Sequence, residues 1–302
     1  MKVLVVPTIM ASYQILHTDC FDWMSKQEPC SVTAIVTDPP YGVKEYTDAE
    51  IKKQRAGKGG VWRLPPAFDG HVRAAVPRFS VINDDPQERQ IVQDFFSRWG
   101  KLAFEILVPG GHVFLASTPL LSDIVSVALR AAGFERRGEI IRTVTTLRGG
   151  DRPKGSEKEY AELSVIPRGL WEPWGIYRKP LSEKTVQLNL KKWNAGALRR
   201  PSQEVPFGDL IVSEKTPRKE REIAAHPSIK PQSFMRKIVH AAVPLGIGVV
   251  LDPFAGSGAT LAAAKHLNID SIGLEKDKCF FDMAVKAIPV LANLYPEQLL
   301  LF

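Results

Sequence analysis

The 302-residue chain is 44% hydrophobic, enough to bury one large α/β core carrying an insertion. Its formal charge of +7 makes a phosphate-bearing partner plausible without requiring one. Cys20, Cys30 and Cys279 are too few and too scattered for a disulfide framework or a zinc site, so no metal is expected and a reducing cytoplasm fits best. The apolar run Val3 to Val6 is broken by Pro7 and followed by Ser12, Gln14 and His17, unlike a signal peptide. No stretch approaches the roughly 20 apolar residues that span a bilayer, so no membrane partner is expected.

In chain order, Tyr13 to Leu16 and Ala34 to Thr37 read as buried parallel strands that end at Asp19 and Asp38, with Phe21 to Lys26 as a crossover helix. Residues 42 to 80 lose periodicity and fill with Gly, Pro, Lys and Arg, which predicts a long flexible surface loop. Glu88 to Leu107 has helical spacing at Ile91, Phe95, Trp99, Leu102 and Ile106, and Pro109-Gly110-Gly111 stops it before a strand over His112 to Ala116. A helix over Leu120 to Ala132 and a strand over Glu139 to Thr146 follow. Residues 148 to 225 are the least regular, with one strand-like piece at Trp174 to Arg178. Order returns with a helix at Pro231 to Val243. A β-α-β unit comes next: strand Gly248 to Leu251, turn Asp252 to Gly258, helix Ala259 to Leu267 and strand Ser271 to Leu274, ending at Glu275.

Two points carry chemistry. In Leu251-Asp252-Pro253-Phe254-Ala255-Gly256-Ser257-Gly258, two glycines let the backbone approach a ligand where a helix begins, unless the turn is merely tight. A dinucleotide fingerprint would need Gly or Ala at position 261, which is Leu261. Glu275, ending the next strand, can accept hydrogen bonds from both hydroxyls of a ribose. The second point is Asp38-Pro39-Pro40-Tyr41, which gathers a carboxylate, two prolines without N–H donors and a flat ring. Read alone it could be a rigid turn. Read with the glycine turn it suits an aromatic amine: acceptors on the amine hydrogens draw its lone pair out of conjugation, and the ring stacks on the base. His112 and His240 read as structural histidines, and Trp171 and Trp174 as packing residues.

With the tetrapeptide before the glycine turn, the sequence resembles the β-class amino-methyltransferases that modify adenine or cytosine in DNA. His226-Pro227-Ser228-Ile229-Lys230-Pro231 is similar to that family's His-Pro-x-x-Lys-Pro segment, which closes over the cofactor, and Thr18-Asp19-Cys20 to its Gly-Asp-x segment, with Thr18 in place of glycine. The resemblance implies a Rossmann-like methyltransferase fold, α/β with a seven-stranded, mostly parallel sheet, and S-adenosyl-L-methionine as cofactor. It assigns catalysis to Asp38, Pro39, Pro40 and Tyr41. Cofactor binding falls to Asp19, Cys20, Asp38, His226, Lys230, Asp252, Phe254, Gly256, Ser257, Gly258 and Glu275.

The same resemblance divides the chain into a catalytic half over 1–147, a target-recognition region over 148–225 and a cofactor half over 226–302. Double-stranded DNA is the implied partner, its target base flipped out of the stack. Lys44, Lys58 and Arg63 in the loop, and Arg152, Lys154, Lys191, Lys192, Arg199 and Arg200 in the recognition region, are candidate DNA contacts. Asp at the first catalytic position favours adenine-N6 over cytosine-N4 as target. A catalytically inactive DNA-binding module with the same fold is the alternative of another class, and RNA or protein methylation is disfavoured by the motif order. A homodimer and a cognate restriction endonuclease are further partners the family admits.

Overall fold

A computed structural model describes residues 11–39, 86–144 and 153–295 apart from 154, 157, 166, 168 and 227. The described strands are β1 (Tyr13–His17), β2 (Val32–Thr37), β3 (Leu107–Ala116), β4 (Glu135–Thr143), β5 (Trp171–Arg178), β6 (Leu210–Val212), β7 (Val249–Asp252) and β8 (Asp270–Glu275). They form one sheet in the order β1-β8-β7-β2-β3-β5-β4-β6. Among the described strands β5 alone runs against the rest, being antiparallel to both β3 and β4. The α/β, mostly parallel architecture is the expected one with an eighth strand. That strand, β6, is three residues long and only Ile211 is buried, too little for a periodic signal.

β2 is buried at all six residues because it lies mid-sheet between two helical layers. Its side chains alternate between them. Ile35 joins Trp99, Phe96 and Leu129 on one face, where the helices α2 (Pro86–Ile106) and α3 (Ser122–Ala131) pack. Ala34 and Val36 join Phe234, Ile238 and Ala263 on the other, under α6 (Gln232–Ala242) and α7 (Ala259–His266). α8 (Lys278–Ala292) closes a third cluster through Ala284, Ile288 and Leu291 against Leu261 and Ala262. The remaining described helices are short: α1 (Cys20–Met24), α4 (Val186–Trp193) and α5 (Arg218–Ile223).

Pro109-Gly110-Gly111 does not separate helix from strand as expected. α2 passes into β3 at Leu107, and the triplet lies inside the strand where the β2/β3 register jumps from Val32↔Leu107 to Ala34↔His112. Gly110, at φ +80°, turns this irregularity. Asn189 of α4 secures it, donating from Nδ2 to Pro109 O at 2.9 Å and Ala195 O at 2.8 Å.

Candidate active site

Parallel strands deliver their carboxyl ends to one edge of the sheet, and the motifs meet there. Asp19 follows β1 and caps α1, its Oδ1 accepting from Phe21 N at 2.9 Å while Lys276 Nζ stands 3.2 Å from Oδ2. Thr18 N donates to Glu275 O at 3.0 Å, tying the ends of β1 and β8 together. The Glu275 carboxylate accepts from Gly256 N at 2.8 Å and from Asp277 N at 2.7 Å. It therefore braces the glycine turn and keeps a further lone pair on each oxygen. Burial raises its pKa against the pull of those amides.

The turn after β7 is built on Asp252. This carboxylate, 3% exposed, accepts from Thr37 Oγ1 at 2.7 Å, Thr260 Oγ1 at 2.5 Å and Phe254 N at 3.1 Å. Burial nevertheless pushes its pKa up to about 6. Because Thr37 precedes Asp38, the same bond fixes the end of β2 beside the turn. Gly256 (φ +50°) and Gly258 (φ +78°) both hold left-handed backbone. Ser257 is buried, and Phe254 packs its ring toward Phe95 and Trp99.

The His226 to Lys230 segment spans the site. A Cβ at Gly256 would lie 3.1 Å from His226 Nε2, so the imidazole covers the turn. Its Nδ1 accepts from Ser228 N at 3.2 Å, its ring meets Phe280 edge-on at 4.4 Å, and burial lowers its pKa to about 4, leaving it neutral. At the other end, Lys230 Nζ reaches Asp38 Oδ2 at 2.5 Å. Pro39 is buried, while Pro40 and Tyr41 lie outside the described residues. Cys20 belongs to the core, where burial pushes its thiol up to about 12. It lines the fold rather than offering a polar contact.

The pattern reading missed a second carboxylate. Glu172, at the start of β5 and so on this same edge, lies 3.4 Å from Lys230 Nζ through Oε2 and 3.4 Å from Arg142 Nη1 through Oε1. Trp174 Nε1 also donates to Oε1, at 2.7 Å. Burial opposes its charge, but Lys230 and Arg142 hold its pKa below the ordinary range. Against the same burial, Asp38 and Glu172 hold Lys230 above its own. An acid flanked by tryptophans in Trp171-Glu172-Pro173-Trp174 was the available signal.

Residues 32–286 match the model of the N6/N4 DNA methylase family. The chain belongs to this family. Among relatives of this methylase, the Type II methyltransferase M.HindIII of Haemophilus influenzae is 26% identical over 92% of this chain and 96% of its own length. A putative DNA modification methylase of Thermus thermophilus, solved with S-adenosyl-L-methionine, shares the fold at a TM-score of 0.54 and 20% identity, over 94% of this chain and 98% of its own. The cytosine-N4-specific PvuII DNA methyltransferase does so at 0.57 and 12% identity, over 94% of each chain. No described helix of the methylase is long and apolar enough to cross a membrane.

The methylase's candidate DNA contacts fall in two places. Lys44, Lys58, Arg63, Arg152 and Lys154 lie outside the described residues. Lys191 and Lys192 are exposed on α4, which docks at Pro109 on the opposite, amino-terminal edge of the sheet. Arg199 bonds through its amide to Ala241 O and lies by Gly246, ahead of β7, on that edge too, with Arg200 next to it. These four therefore stand at the amino-terminal edge, away from the carboxyl edge that carries Asp38 and the glycine turn. The chain that follows β5 sits roughly 20 Å from that edge along β3, at about 3.3 Å per residue. At the catalytic edge itself β4 ends at Thr143 and β5 begins at Trp171.

Proposed function

We propose that this methylase transfers a methyl group from S-adenosyl-L-methionine to the exocyclic N6 amine of adenine in double-stranded DNA, with the base rotated out of the stack. The carrying observation is Asp38, an acceptor at the carboxyl end of β2 whose preceding residue, Thr37, is bonded to Asp252 under the glycine turn. The residues at that turn fit the cofactor. Gly256 and Gly258 hold the left-handed backbone that shapes the turn, His226 covers it, and Asp19 and Glu275 supply acceptors for a ribose and an adenine. When bound, S-adenosyl-L-methionine supplies an electrophilic methyl on a sulfonium centre.

The chain's own part is positioning and electrostatics. Asp38 accepts an amine hydrogen and draws the nitrogen toward tetrahedral geometry, then offsets the positive charge that develops on that nitrogen as its bond to carbon forms. Pro39 and Pro40 bring backbone carbonyls without competing donors, and Tyr41 offers a stacking face. Lys44, Lys58, Arg63, Arg152 and Lys154 contact the phosphates. Type II relatives support a cytoplasmic enzyme that works beside a cognate restriction endonuclease. A homodimer is part of the proposal, tested by sedimentation.

Asp at the first position of the tetrapeptide supports adenine. A second reading, cytosine-N4, draws on the fold likeness to the PvuII enzyme. Nucleoside analysis of plasmid from expressing cells distinguishes them: N6-methyldeoxyadenosine is expected, lost in Asp38→Ala. N4-methyldeoxycytidine instead selects the second reading, and neither product leaves a catalytically inactive DNA-binding protein.

A further inference from the structure

Lys230 stands between two carboxylates. Its buried ammonium is 2.5 Å from Asp38 Oδ2 and 3.4 Å from Glu172 Oε2, and three N–H donors let it serve either. On the proposed function, Asp38 must accept from the target amine and face a nitrogen that turns positive. A cation held against Asp38 opposes both. The ammonium has one described acid to move toward, Glu172, and that acid is oriented for it. Arg142 Nη1 and Trp174 Nε1 engage Oε1, which leaves Oε2 presented to Lys230.

The support behind Glu172 is itself fixed. Arg142, 4% exposed, donates from Nε to Ser213 Oγ at 3.0 Å and lies 4.9 Å over the Phe234 ring. Trp174 is fully buried and packs edge-on against the same ring at 5.2 Å. A rigid acid next to a long, pivoting side chain is the arrangement that a cation moving between two seats requires.

We propose that Glu172 is a positioning residue for methyl transfer: it is the seat to which the Lys230 ammonium withdraws when the target amine takes its place on Asp38. This rests on the amine-methylation reading above. Glu172→Gln keeps the hydrogen-bonding shape and removes the charge that draws Lys230. It is expected to lower kcat about tenfold or more at saturating DNA, with cofactor Kd and DNA KM within about threefold of the parent. Glu172→Asp, which keeps the charge, should recover at least half of that loss on a logarithmic scale.

In a Lys230→Met background, adding Glu172→Gln should change kcat by less than about threefold, since a seat has no role without its occupant. This double variant removes both charges of the pair and so carries the test even where Glu172→Gln alone does not fold. A parental kcat in Glu172→Gln overturns the positioning role and leaves the methylation reading standing, as does a further drop beyond threefold in the Lys230→Met background. A wild-type chain that methylates neither adenine nor cytosine in DNA overturns both.

Discussion

A Cβ placed on Gly258 would lie 2.4 Å from Cγ1 of Ile288, so the end of the glycine turn is sealed against α8 by direct backbone contact. Gly258→Ala adds this overlap to the strain of a side chain at φ +78°. It should destabilise the fold by roughly 2–4 kcal/mol, several degrees in Tm. Ile288→Ala in the same chain opens space at the overlap, so the double variant should be more stable than the sum of the singles predicts. Strict additivity in thermal unfolding would contradict the contact.

Asp252 makes the stability of this protein pH-dependent. Burial raises its folded pKa from 3.8 to about 6, so the folded state binds the proton more tightly than the unfolded chain does. The resulting stabilisation is complete below pH about 4, declines as pH rises toward 6 and is absent above, a span of roughly 3 kcal/mol. In Asp252→Asn the amide oxygen still accepts from Thr37 and Phe254 N, and the Thr260 hydroxyl turns to accept. Relative to the parent, the variant should gain stability between pH 4.5 and 7.5. An unchanged pH slope of Tm would refute the assignment.

His112 acts in the opposite sense. Burial, with Arg178 and Arg137 nearby, lowers its pKa to about 3, and its buried Nδ1 has no hydrogen-bond partner among the described residues. Neutral His112 stabilises the fold above pH 6.5, and that contribution is lost as pH falls from there toward 3. His112→Leu should therefore unfold less readily in acid and be no less stable at pH 7.5. Calorimetric scans at pH 4.5 and 7.5 decide it, and greater acid sensitivity in the variant would count against this account.

DNA affinity should divide along the sheet. Lys191→Ala with Lys192→Ala removes charge from the amino-terminal edge, so the salt dependence of DNA binding should stay as in the parent. Replacing Lys44, Lys58 and Arg63 with alanine should flatten the log–log slope by up to about 0.9 per lost phosphate contact. If the α4 pair flattens it equally, DNA reaches both edges.

Much of this arrangement is readable in the sequence. The strands at Ala34 and Val250 are uninterrupted apolar runs, and Asp38, Asp252 and Glu275 each announce themselves by ending such a run. Glu172 and Arg142 do not, because the charges they pair with are remote in sequence and Arg142 is covered by the distant Phe234 ring. The ion pair of Asp38 with Lys230 joins residues 192 apart, which no local period encodes. α4 and α5 are too short for a clear stripe. α8 has a signal in its Asp277 cap, which accepts from Cys279 N and Phe280 N, but Pro289 interrupts the pattern. The placement of Lys191, Lys192, Arg199 and Arg200 at the amino-terminal edge is not legible in the sequence, because composition carries no strand direction.

Thr143 and Trp171 face each other across the β4/β5 ladder, and Val144 N extends it to Leu170 O at 3.0 Å. The chain between Val144 and Leu170 thus departs and returns through a single doorway on the catalytic edge. A segment attached in that way is expected to tolerate exchange. Replacing it between those two anchors should leave Asp38 and the glycine turn in place, since both are held by strands on the far side of β3.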